Sequence, residues 1–206
     1  MRYFLLRGIS PVRDADFADV AHFHDQLRAR YNADLANDLG NLLNRTVSMI
    51  GRYRAGIIPE SGGETDLERE IRDIVESLPE QIDELFGRYD PQTALALIWE
   101  LVTRANRYVE ETQPWSLAKA AKGGDSAAEE RLSTALATLA EAVRVIGALL
   151  EPFLPVAASR IQEQLGASAE APWADRTRWG TSGTGTRVAT PEPIFPRLEV
   201  PEASIR

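Results

Sequence analysis

Between Asn32 and Ile50, apolar residues recur at intervals of three and four. Leu35, Leu39, Leu42, Leu43, Thr46, Met49 and Ile50 fall on one stripe of a helix. Such a helix gains its stability by burying that stripe against others, so the rest of the chain must supply partners. The same geometry puts Asn41 and Arg45, four residues apart, on one neighbouring face. The asparagine amide both donates and accepts, and the guanidinium donates through a rigid fork. That pair suits the edge of a nucleobase. A solvated helix face carrying an incidental polar pair fits the spacing as well.

The partners are present. A helix is expected from near Asp16 through Phe17, Val20, Phe23 and Leu27 to about Tyr31, and a second from Ala33 to Tyr53 with Gly40 inside it. Gly40 costs ~1 kcal/mol relative to alanine and suggests the close approach of a neighbouring helix or ligand. Gly56 to Gly63 reads as a loop. Leu67, Ile71, Ile74 and Leu78 predict a third helix that Pro79 interrupts, with a restart through Ile82, Leu85 and Phe86. Asp90 and Pro91 are a cap and first position for a helix burying Leu95, Ile98, Trp99, Val102, Ala105 and Val109. Pro114 interrupts that helix. Ser126-Ala-Ala-Glu129 has the pattern of a capping box opening a long helix through Leu132, Leu139, Ile146 and Leu150. Pro152 and Pro155 precede a last short helix ending at Gly166, and the remainder reads as an extended tail or small hairpin. The expected fold is an all-α antiparallel helical bundle with an extended C-terminal tail.

At 206 residues the chain is long enough for one substantial core. No uninterrupted apolar run is long enough to span a bilayer. There is no cysteine, hence no disulfide, thiolate nucleophile or zinc–thiolate site, which agrees with a cytoplasmic protein. The net charge of −8 is unusual for a nucleic-acid binder, since neutralising phosphates ordinarily supplies much of the affinity. Arg45, Arg52, Arg54, Arg104, Arg107 and Lys119 nevertheless gather near two segments, 32–50 and 105–119, while many acids fall between Glu64 and Glu84.

The second of those segments, Ala105-Asn-Arg-Tyr-Val-Glu-Glu-Thr-Gln-Pro-Trp-Ser-Leu-Ala-Lys119, carries an aromatic plane at Trp115. Together with Tyr31 to Ile50 it resembles the C-terminal anticodon-binding domain of class I methionyl-tRNA synthetases. Two weaker likenesses flank them in the same order: Arg2-Tyr-Phe-Leu-Leu-Arg7 is similar to the family's connecting region, and Pro191 to Glu199 to its closing tail. The resemblance implies residues 1–15 as a remnant of the connecting, stem-contact region, 16–166 as the anticodon-binding bundle and 167–206 as a tail packed on it. It implies that Asn41 and Arg45 contact the first anticodon base, a cytosine, and that Pro114 and Trp115 supply a stacking platform. Asn106, Arg107 and Glu110 become candidate further tRNA contacts, with Arg107 pairing to phosphate or to Glu110. The partners implied are the anticodon loop of tRNA(Met) and the catalytic domain of the same enzyme, with no membrane and no DNA.

The chain contains neither the His-Ile-Gly-His-type signature nor the Lys-Met-Ser-Lys-Ser-type loop of the family's catalytic half. ATP is therefore expected as a cofactor of the parent enzyme only. His22 and His24 lack the further ligands a metal needs, so no metal site is expected. The run Gly180 to Thr186 lacks a P-loop's lysine and following helix. No acid–base dyad and no Ser/His/Asp arrangement stands out, so no catalytic residue is expected. The alternative to RNA recognition is a stand-alone helical scaffold for other proteins.

Overall fold

The computed structural model describes residues 2–8, 20–168, 170–181 and 183–199. Among these residues the chain forms helices α1 (Arg2–Gly8), α2 (Val20–Arg30), a π-helical stretch (Tyr31–Gly40), α3 (Asn41–Tyr53), α4 (Asp66–Gly87), α5 (Pro91–Thr112), α6 (Pro114–Lys122), α7 (Ser126–Leu149), α8 (Pro155–Leu165) and the single turn α9 (Trp173–Arg176). The expected start near Asp16, the cut at 15/16 and the side chain of His22 lie outside the described residues. His24 is exposed, its ring 5.9 Å from that of Phe23.

The bundle is built around α7. Flanked by α3, α4, α5, α6 and α8, it is apolar on nearly all sides. It is long and apolar enough to cross a membrane by length and composition alone, although Glu141 and Arg144 interrupt it, and 89% of its most apolar 18-residue window is buried inside the fold. An all-round apolar helix is what a central position requires. All seven stripe residues from Leu35 to Ile50 are buried. Trp99 is buried too, its ring 4.8 Å from that of Tyr3 on α1.

Three local expectations change. The two helices ending at Tyr31 and starting at Ala33 are one unbroken helical path, α2 continuing through the π-helical stretch into α3. Pro79 does not interrupt α4. Ile71, Val75, Leu78 and Ile82 lie buried on both sides of it, and their packing outweighs the backbone hydrogen bond that proline removes. The cap of α7 is Asp125, which accepts from the Ala128 N–H at 3.0 Å, rather than Ser126. The capping box is instead Thr65-Asp-Leu-Glu68 at the start of α4. Asp90 caps α5 with Pro91 at its first position.

Glu68 does more than cap. Its carboxylate is fully buried, accepts from the Thr65 N–H at 2.7 Å and hydroxyl at 2.6 Å and from Tyr108 Oη, and pairs with Arg131 at 2.8 Å. Burial alone would push its pKa up. The hydrogen bonds from Thr65, Tyr108 and Arg131 prevail and bring it down to about 2.

The tail is not wholly extended, since α9 interrupts it. Two polar clamps attach it. Arg144 donates to the carbonyls of Arg176 and Arg178, the latter at 2.7 Å, while pairing with Glu141 at 2.7 Å; Glu141 in turn accepts from the Thr181 N–H at 3.0 Å. The Gln164 side chain exchanges two hydrogen bonds with the backbone of Glu192. Ile57 bridges Arg187, and Val188 and Ile194 are buried. Gly166, at φ +65°, ends α8 where the Arg187 carbonyl would lie 2.5 Å from any Cβ.

Candidate nucleic-acid interface

Helix α3 buries Leu42, Leu43, Thr46, Val47, Met49 and Ile50. That leaves Asn41, Arg45 and Arg52 on its other side, with Asn41 and Arg52 exposed and Arg45 half-buried. Trp115 reaches this face from a different element. Helix α5 ends at Gln113, which adopts the left-handed conformation (φ 42°, ψ 64°) and serves both as the end of α5 and the start of α6. The chain thus turns sharply, Pro114 enters α6 as its first residue and is buried, and Trp115 follows at the second position. The ring sits on a helix start rather than a loop, and the residue is 41% exposed.

Arg45 lies over this ring, its Cζ 5.7 Å from the centroid, within cation–π range. Its Nη2 donates to Glu110 at 2.7 Å. Arg45, Trp115 and Glu110 therefore form one surface constellation, with Asn41 one helical turn away on α3. The remaining donors of the Arg45 fork and the exposed face of the indole give the arrangement its chemistry: a flat apolar surface for a base and N–H groups beside it.

Other candidates sit elsewhere. Asn106 turns inward, donating through Nδ2 to the carbonyls of Asp38 at 3.2 Å and Val102 at 3.1 Å. Arg107 pairs with Glu111 at 2.7 Å, not with Glu110. Arg104 is buried and bridges Glu70 at 2.7 Å and Glu111 at 3.1 Å, and its hydrogen bond lowers the Glu70 pKa. Arg54 pairs with Glu129 at 3.1 Å. Of the six basic residues that gather here in sequence, Arg54, Arg104 and Arg107 are thus engaged in ion pairs away from Trp115, whereas Arg52 and Lys119 are exposed. The acids between Glu64 and Glu84 are not remote from them, because α4 packs on α5. The Arg45–Glu110 pairing spans two helices and left no spacing signal in the sequence. Among the described residues no group of His, Asp and Glu is arranged to hold a metal ion.

A profile of the family described as the anticodon binding domain of methionyl tRNA ligase matches residues 58–204. The chain belongs to this family. The domain is 40% identical to methionine–tRNA ligase of Caldanaerobacter subterraneus subsp. tengcongensis over 200 residues, covering 97% of this chain and 30% of that protein. It is 40% identical to the Lactococcus lactis enzyme over 202 residues, covering 98% and 29%. The domain thus spans about three-tenths of the length of these relatives. Its fold superposes on the apo form of Mycobacterium tuberculosis methionyl-tRNA synthetase with a TM-score of 0.87 at 31% identity, covering 97% of this chain and 39% of that one. The same enzyme in complex with methionyl-adenylate gives 0.85, also at 31% identity, over 95% and 37%. The all-α bundle read from the sequence is the fold of this anticodon-binding domain.

Proposed function

We propose that the domain selects tRNA carrying the CAU anticodon, within a cytoplasmic enzyme that joins methionine to that tRNA using ATP. The ATP and methionine chemistry belongs to a catalytic domain, the partner of residues 16–166 in the whole protein. Asn41 and Arg45 read the first anticodon base, Trp115 stacks against it, Pro114 fixes the platform, and Arg52 and Lys119 take phosphates.

The observation that carries this reading is the Arg45 guanidinium held 5.7 Å above a half-exposed indole. A base stacked on Trp115 presents its edge to donors on α3. Cytosine offers two acceptors there, its carbonyl oxygen and ring nitrogen N3. Uracil places an N–H at the same ring position, so a donor aimed at N3 accepts the one and opposes the other. One well-placed bidentate contact discriminates by ~1–3 kcal/mol.

The test is a pair of titrations, with a CAU anticodon stem-loop and with one whose first base is uracil. Tighter binding of CAU by roughly tenfold or more is expected. Equal, weak binding of both overturns the reading in favour of a protein-interaction scaffold.

A further inference from the structure

The ten residues Tyr31–Gly40 are π-helical, whereas such geometry ordinarily occurs as single turns within α-helices. A π-turn closes its hydrogen bonds five residues apart and so rotates the chain less per residue than an α-turn. The azimuth at which α3 leaves this stretch, and hence where Asn41 and Arg45 point, depends on its being kept π-helical.

Three other parts of the fold hold it. Tyr3 on α1 donates to Asp34 at 2.6 Å. Asn32 exchanges two hydrogen bonds of 2.9 Å with the backbone of Leu198 in the tail. From α5, Asn106 donates to the carbonyl of Asp38. Leu35 and Leu39 anchor the inner side in the core. Gly40 completes the arrangement. Its φ of −63° suits any residue, but a Cβ there would lie 2.9 Å from the Leu35 carbonyl, the oxygen five residues back, and 3.6 Å from Phe195.

The Asp38 carbonyl is also an acceptor for the backbone N–H of Asn41, which is shared with the carbonyl of Ala36. Asn106 therefore grips the peptide group to which Asn41's own amide is bonded. Helix α5, which carries Asn106, leads through Gln113 into Trp115. One side chain thus couples the backbone beneath the Asn41–Arg45 face to the element that presents the indole.

We infer that Asn106 is a positioning residue for base discrimination: it fixes the π-helical stretch and so the orientation of Asn41 and Arg45 toward Trp115, without touching RNA itself. This rests on the reading of Trp115, Asn41 and Arg45 given above.

The experiment compares the ratio of affinities for the CAU and UAU stem-loops in the wild-type chain, Asn106→Leu and Gly40→Ala. A third variant, Ile82→Val, buried in α4, serves as a control of comparable thermal destabilisation. Asn106→Leu removes the grip on Asp38, and Gly40→Ala pushes on the same stretch from its other side. Both are expected to lower the ratio by roughly tenfold, the worth of one misaligned base contact, while Ile82→Val leaves it unchanged. The salt dependence of CAU binding should stay the same in Asn106→Leu, since no phosphate contact is lost. The inference falls if both variants keep the wild-type ratio. It also falls if Asn106→Leu weakens both stem-loops equally with a shallower salt slope, which would make Asn106 a direct backbone contact. If Asn106→Leu does not fold, Asn106→Ser together with Gly40→Ala decides. A wild-type chain that fails to separate the two stem-loops refutes the functional reading instead, which keeps the two failures distinct.

Discussion

Glu68 and Trp115 show how far single side chains can be pressed. Glu68 is buried with its carboxylate ionised because Thr65 and Tyr108 donate to it and Arg131 pairs with it. Its pKa of about 2 lies below the 4.5 of a free carboxyl. The stabilisation is therefore fully present above pH 4.5 and is lost as the pH falls through 2. Its size by linkage is on the order of 3 kcal/mol. Replacing Glu68→Gln should lower the unfolding free energy at pH 7 by an amount that becomes small near pH 2, where the wild-type group is half protonated. Urea denaturation of both proteins from pH 7 to pH 2 measures this, and a difference that does not change with pH would remove the charge from the explanation. Trp115 is the opposite case. It is 41% exposed and outside the core, so Trp115→Ala should leave the melting temperature within a few degrees while weakening the CAU stem-loop by ~1–3 kcal/mol of lost stacking. Collapse of the melting transition in that variant would make the indole a structural residue.

At the level of elements, what the sequence revealed and what it concealed have separate causes. The stripe of α3 was legible because burial follows a fixed helical period, and all its members are buried. The Asp90–Pro91 start of α5 was legible because both residues act through local chemistry. The π-helical stretch was not, since its hydrogen-bond register is held by Tyr3, Asn106 and Leu198, residues far away in sequence. The same holds for the candidate interface. The Asn41–Arg45 spacing is local, whereas the approach of Arg45 to Trp115 and Glu110 arises from the packing of α3 beside α5 and α6. Pro79 misled for a related reason: proline weighs against a helix locally, but Ile71, Val75, Leu78 and Ile82 keep α4 in place on both sides. This makes a prediction. Pro79→Ala restores the hydrogen bond to the Val75 carbonyl within a helix that already runs through the site, and should raise stability by about 1–2 kcal/mol after the loss of proline's restriction of the unfolded chain. A higher urea midpoint at unchanged m-value is expected. No shift would mean that the two halves of α4 behave as separate helices.

For the molecule as a whole, charge placement explains how an acidic chain can serve an anticodon-binding domain. The chain carries −8 overall, yet most arginines with described partners are matched to carboxylates within the fold. Arg144 and Glu141 illustrate the consequence. Buried together, they hold the tail by its backbone, and their pairing offsets the cost of placing both charges in the core. Among the described residues near Trp115 the cations left for RNA are few: Arg45, already shared with Glu110, and the exposed Arg52, Lys119 and Lys122. Binding of a stem-loop should then draw more on stacking and base-edge hydrogen bonds than on phosphate neutralisation. Two or three phosphates contacted in a single-stranded loop correspond to a slope of about −1.5 to −2 in log affinity against log salt. The surrounding negative charge cannot steepen that slope, because only neutralised phosphates release counterions. Titrating the CAU stem-loop between about 50 and 200 mM salt should give this shallow dependence. Glu110→Gln should deepen it by no more than about one unit, as the Arg45 fork becomes wholly available to the RNA. A slope several times steeper would require a basic surface that these ion pairs do not leave open, and would place the main RNA contacts somewhere other than the face of α3.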